Sequence, residues 1–155
     1  MILRDALGRA RRLGAAMLGA ATLAAACSRP APATRRAELV AVGPSSIKLL
    51  PAEGQPAYCL AFTVAEKGVV RHLTMSEENE SLPCPAHAPV GGTEYRIPPA
   101  EGKVRVYLVF SDRKLDARPI AAQMHELGGK PGFSAMDLRA PGSVLLETLE
   151  FTPAK

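Results

Sequence analysis

The sequence predicts a mainly β protein: an antiparallel β-sandwich with one helix, preceded by a signal peptide and a disordered tether. Three observations carry this expectation. Short apolar runs with period-two alternation recur from residue 37 onward. Turn residues punctuate them densely, with 13 Gly and 14 Pro in 155 residues. Only one stretch has helical spacing. Hydrophobic residues make up 47% and charged residues 22%, ordinary values for a globular chain of one domain plus a targeting segment. Trp is absent and aromatics are 5%, so the core must come from Val, Leu, Ile and Ala.

The elements follow in chain order. Glu38–Val42 ends at Gly43-Pro44, and Ser46–Leu50 ends at Pro51 and Gly54. Tyr58–Val64 alternates, with Tyr58, Leu60, Phe62 and Val64 on one face. Glu66-Lys67-Gly68 turns it into Val69–Met75, so the two runs read as a hairpin. Residues 76–92 form a polar, Pro-rich loop. Thr93–Ile97 is a further strand, stopped by Pro98-Pro99, and Lys103–Phe110 is the clearest strand, with Val104, Val106, Leu108 and Phe110 inward. The helix spans residues 116–127. Asp116 caps it, Pro119 fits its first turn, and Ile120, Met124 and Leu127 share a face. Gly128-Gly129 ends it, and Val144–Phe151 is the last strand. There is no internal repeat.

The N-terminus has the three parts of a secretory signal over residues 1–26. A basic region ends at Arg12, an uncharged stretch runs from Leu13 to Ala26, and small residues close it. As a helix those 14 residues would span only ~21 Å, short of the ~30 Å hydrocarbon core. Leu23-Ala24-Ala25-Ala26-Cys27 resembles the lipobox of bacterial lipoproteins. That resemblance implies that Cys27 receives diacylglycerol and becomes the acylated first residue. The Leu sits one place earlier than is usual. The alternative is ordinary cleavage at the same small residues, giving a soluble secreted or periplasmic protein. Residues 27–36 contain no large apolar side chain and cannot offset their ordering entropy. They read as an extended tether of roughly 30 Å. Ser28 is unlike the Asp of lipoproteins retained in the inner membrane, so the resemblance points to the outer membrane, facing the periplasm.

Charge follows the same division. The net +4 suggests a nucleic-acid binder. However, residues 1–26 carry net +3 and residues 27–36 another +3, leaving residues 37–155 at −2. The body lacks the electrostatic footprint that nucleic-acid binding needs.

If Cys27 carries lipid, Cys59 and Cys84 remain, and an oxidising compartment favours their pairing. A bridge would pin the loop around Cys84 to the strand holding Cys59. The other possibility is two separate thiols.

Residues 57–118 resemble a bacterial domain of unknown function, the 4384 family of envelope and signalling proteins. The similar features are Tyr58–Val64, Gly68-Val69-Val70 with Leu73, Val90-Gly91-Gly92, Tyr95-Arg96-Ile97-Pro98, and Pro99-Ala100-Glu101-Gly102 leading to the strand through Phe110 and Ser111. The Pro-Asn pair usual after the second strand is replaced by Thr74-Met75-Ser76. The resemblance implies a β-rich accessory domain and carries no catalytic residue.

No nucleophile elbow, phosphate loop, His-Glu-x-x-His or Cys-x-x-Cys-His occurs. The expected function is therefore a non-catalytic binding or accessory domain, without cofactor, held at a membrane by its lipid and meeting an envelope protein. The candidate contact is Glu77, Glu78, Asn79 and Glu80, in a stretch (Ser76–Ser81) expected to stand clear of the fold. The alternative is a periplasmic metal-binding protein or enzyme. It would use Cys84 and His87, three residues apart, with His72 or His125. His72 otherwise reads as a solvent-facing strand residue, and His125 as a cation favoured near a helix C-terminus.

Overall fold

The computed structural model describes residues 34–154. The signal-peptide and lipidation assignments, and the tether up to residue 33, lie outside the described residues. The chain forms two antiparallel sheets and one helix, in three layers. β1 (Ala37–Gly43), β2 (Ser46–Pro51) and β6 (Tyr95–Arg96) make the small sheet in that order. The large sheet runs β4 (Val70–His72), β3 (Tyr58–Ala65), β7 (Val104–Ser111), β8 (Val144–Phe151), with β5 (Leu82–Pro83) also on β3.

The large sheet is buried on both faces. Cys59, Ala61 and Ala65 of β3, with Val104, Val106, Leu108 and Phe110 of β7, face the small sheet and meet Ile47, Leu49, Tyr95 and Ile97. The opposite face, with Leu60, Phe62, Val64, Tyr107 and Val109, packs on Ala117, Ile120 and Met124 of α1 (Ala117–Leu127). Alternation in β3 and β7 correctly places the inward side chains. It understates burial, because the helix makes the second face an interior as well. The helix begins where expected, with Asp116 accepting from the Arg118 N–H at 2.9 Å.

Several strands are shorter than the sequence suggests. β4 keeps three residues and β6 two. The outer edge of β3 is nonetheless satisfied along its length. β4 pairs with Phe62–Val64 and β5 with Tyr58–Cys59. Between them the Thr74 Oγ1 accepts the Ala61 N–H at 2.9 Å, and the Leu73 N–H donates to the Ala61 carbonyl at 2.8 Å. A threonine side chain thus replaces a ladder partner where the chain leaves the sheet.

Cys59 and Cys84 have their sulfurs at bonding distance and their Cα atoms 5.7 Å apart. Both are buried in the core between the sheets. The Val90-Gly91-Gly92 turn also has a physical reason. Gly91 sits at φ 65°, and a Cβ there would lie 3.0 Å from the Tyr95 hydroxyl. That buried hydroxyl donates to the Val90 carbonyl at 2.9 Å, and burial pushes its pKa up to about 12, so it remains a donor.

Two contacts join the small sheet's β1 end and its β1–β2 turn to β8 and the residues after it. The Arg36 N–H donates to Glu147 at 3.0 Å, and the Ala154 N–H donates to the Pro44 carbonyl at 2.7 Å. β1 and β8 are therefore neighbouring edges on one side of the sandwich. Glu147 projects from β8 toward the core side, a charge that discourages strand addition at that edge.

Replacing Cys59 and Cys84 by serine should lower unfolding free energy by about 3–4 kcal/mol, the chain-entropy value for a loop of this length. Denaturant titration checks this. Tyr107→Phe removes a buried hydroxyl that donates to the Gly128 carbonyl at 2.9 Å. It should cost about 1 kcal/mol in the same assay, by loosening the helix C-terminus from the sheet.

Candidate functional site

The loop of residues 76–92 was expected to leave Ser76–Ser81 clear of the fold. The structure corrects this. The segment closes on itself through Ser76, whose Oγ accepts the Glu80 N–H at 3.0 Å. It then docks on the turn preceding α1. The Ser81 N–H donates to the Leu115 carbonyl at 2.9 Å, and the Leu115 N–H donates to Ser81 Oγ at 2.9 Å. The Ala117 N–H donates to the Asn79 carbonyl at 2.8 Å, and Asn79 Nδ2 donates to Asp116 at 3.3 Å. Ser81 is buried. These bonds satisfy the first amides of α1 and its approach, so the loop is a part of the helix start. Asn79 takes φ 56°, a conformation that Asn tolerates better than most residues. Removing residues 77–80 would therefore damage the fold, which removal of a segment standing clear of it would not do.

The four candidate residues divide accordingly. Glu80 pairs with Lys114 at 3.1 Å and holds that ammonium pKa up, chiefly through the hydrogen bond. Asn79 is committed to the helix start. Glu77 and Glu78 point to solvent beside Met75, which is 79% exposed. The accessible part of the site is thus two carboxylates and an apolar side chain. Lys114 holds Glu80 and Asp116 holds Asn79, whereas the sequence shows Asp116 only as a helix cap. No local signal in the sequence links them to a segment 34 or more positions away.

The metal-ligating candidates are not brought together. Cys84 is bonded to Cys59. His87 lies in the loop at φ 59°, its N–H bound to the Pro51 carbonyl. His125 is exposed in the last turn of α1, as expected. His72 is half-buried, contrary to its reading as solvent-facing. Its ring stacks on Phe62 at 4.7 Å, and Nε2 lies 3.1 Å from Thr74 Oγ1. Since Thr74 Oγ1 accepts from Ala61, its own hydrogen is available to a neutral His72 Nε2. Among the described residues no three His, Cys, Asp or Glu side chains form a group able to hold a metal ion.

A second buried ionisable group escaped sequence reading. Glu101 is 7% exposed and forms an ion pair with Arg71, tying β4 to the turn before β7. The sequence shows Glu101 only in a Pro-Ala-Glu-Gly turn.

Concave surface is shallow. A depression of about 410 Å³ is lined by Arg35, Glu38, Leu50, Ala52 and His87 at the entry of the chain into β1. One of about 280 Å³ lies by Glu66, Lys103 and Glu150, across the Lys103–Glu150 ion pair. Neither gathers a nucleophile with a base. No family model, curated protein or solved structure matches the chain.

Burial lowers the His72 pKa from its ordinary value of 6.5, so the unfolded chain binds its proton more tightly. The associated stability is complete above pH 6.5 and is lost as pH falls toward the folded-state value. Denaturation midpoints of the wild-type chain should fall across that interval. His72→Phe, which keeps a ring on Phe62, should flatten the profile there.

Proposed function

We propose that the chain is an envelope lipoprotein, anchored through Cys27, whose domain is a non-catalytic binding or accessory module on the periplasmic side of the outer membrane. The observation that carries this reading is the Cys59–Cys84 pair. Two buried sulfurs at bonding distance suit an oxidising compartment. They also leave Cys27 as the third cysteine, at the end of an apolar leader and before a Pro-rich tether. The resemblance to the 4384 family agrees with a β-rich accessory role.

The non-catalytic part rests on how reactive groups are used. His72 completes a strand edge, Glu101 neutralises Arg71, and Asp116 caps the helix. Each serves the fold, and none faces a cleft with a partner suited to chemistry. Glu77 and Glu78, carried on a loop fixed by its own hydrogen bonds, suit a basic patch on an envelope protein. A preformed loop of this kind binds without a large ordering cost.

Cys27→Ala should abolish incorporation of a labelled fatty acid into the protein and release it from membranes. Acyl chains contribute ~0.8 kcal/mol per buried methylene, and stable anchoring takes more than one. Label that persists in the variant would contradict the reading.

A further inference from the structure

We propose that protonation of His72 opens a latch in the edge of β3, freeing the segment from His72 to Met75 while the rest of the fold stays closed. The latch rests on the fold alone and needs neither the anchor nor the acidic contact proposed above.

Three polar groups form the latch. The Ala61 N–H donates to Thr74 Oγ1 at 2.9 Å. Thr74 Oγ1 lies 3.1 Å from His72 Nε2, and the His72 ring stacks on Phe62 at 4.7 Å. While Nε2 is unprotonated, the Thr74 hydroxyl donates to it and accepts from Ala61, so each of the three groups has its partner. A proton on Nε2 undoes this arrangement. Nε2 becomes a donor, and the Thr74 hydrogen loses its acceptor. Thr74 is 1% exposed, so in the closed latch that hydrogen is out of reach of bulk water. An unpaired buried hydroxyl is costly. Opening gives water to both the Thr74 hydroxyl and the imidazolium.

Fixed points on either side confine the opening. Upstream, Arg71 points to the opposite face of β4 and pairs with buried Glu101. Downstream, Ser81 exchanges two hydrogen bonds with Leu115, and Cys84 is bonded to Cys59. Between these points the Leu73 N–H donates to the Ala61 carbonyl at 2.8 Å, and Met75 is 79% exposed. Opening therefore uncovers both backbone groups of Ala61, in the gap between β4 and β5. A strand of three residues can part at one end without carrying the sheet with it. The surroundings leave the ring's response to burial. Leu60, Phe62 and Val64 of β3 and Ala117, Ile120 and Met124 of α1 line this face without charge, and Tyr58 stands at the other end of β3. Arg118, His125 and Glu126 of α1 are exposed, as are Glu66 and Lys67 of the preceding turn and Glu77 and Glu78 of the following loop. Burial alone lowers the His72 pKa, without a contribution from any of these groups.

The test is amide hydrogen exchange, followed by NMR on the nitrogen-15-labelled protein between about pH 7.5 and about pH 5. Rates are read as protection factors, which cancels the intrinsic pH dependence of exchange. Below pH 6.5, the ordinary His value, the Ala61 and Leu73 factors should fall by up to about tenfold per pH unit until the folded-state pKa is passed. Their exchange should be indifferent to low concentrations of urea, the mark of a local opening. The Ser81, Leu115 and Ala117 amides should exchange more slowly and respond to urea. His72→Gln places a neutral acceptor there at every pH and should hold the Ala61 and Leu73 factors constant. Thr74→Val, which lacks the hydroxyl, should leave Ala61 in fast exchange throughout. Ala61 and Leu73 exchanging in step with Ser81 and Leu115, with the same urea dependence, overturns the latch. So does a pH response that survives in His72→Gln. In the wild-type protein, a His72 ring titration that leaves the Ala61 amide resonance unmoved overturns it without any variant.

Discussion

The β3–β7 ladder is the constraint on which everything else depends. Eight residue pairs from Tyr58–Ser111 to Ala65–Val104 stay in register without a bulge. Both faces of this ladder lie inside the molecule, so both strands must be apolar almost throughout. The small sheet covers one face and α1 the other. A charge placed in the middle of either strand would have no route to water. Arg105, near the start of β7, reaches the Gly129 carbonyl at 3.3 Å and stays at the margin.

What lies at the two margins of that ladder determines what the domain can present. On the β3 side, short strands, Thr74 and the Cys59–Cys84 pair close the edge and fix the loop between them. The loop then supplies hydrogen bonds to the approach to α1. Sheet edge, loop and helix start consequently form one connected unit, with Glu77 and Glu78 displayed on a rigid support. On the β8 side, the chain enters β1 at an edge of the small sheet, and Glu147 holds the Arg36 amide. The acidic loop and the start of β1 are thus on different layers of the fold.

Local pattern made much of this legible. The alternation of Tyr58–Val64 and Val104–Phe110 identifies the two central strands and their inward side chains. Asp116 and Gly128 mark the helix ends, and the hairpin partners are adjacent in sequence. Long-range consequences were not legible. Nothing near His72 reveals that Phe62 and Thr74 enclose it. Nothing near Glu101 indicates Arg71, 30 positions away. The loop looked unattached because its polar residues are those of a solvated segment. Its partners at 114–117 become visible only when the sheet brings the two stretches together. The shortness of β4 and β6 has a similar cause, since apolar runs extend past the last residue that has a strand to pair with.

The proposed anchoring through Cys27 and the closure of Cys59 on Cys84 can be examined on one sample. Intact-mass analysis of the protein extracted from membranes, followed by non-reducing peptide mapping, tests both most directly. The expected result is a chain beginning at Cys27 with diacylglycerol and acyl mass added, and a linked pair of peptides containing Cys59 and Cys84. An unmodified Cys27, or Cys59 and Cys84 recovered as separate thiols, would contradict it.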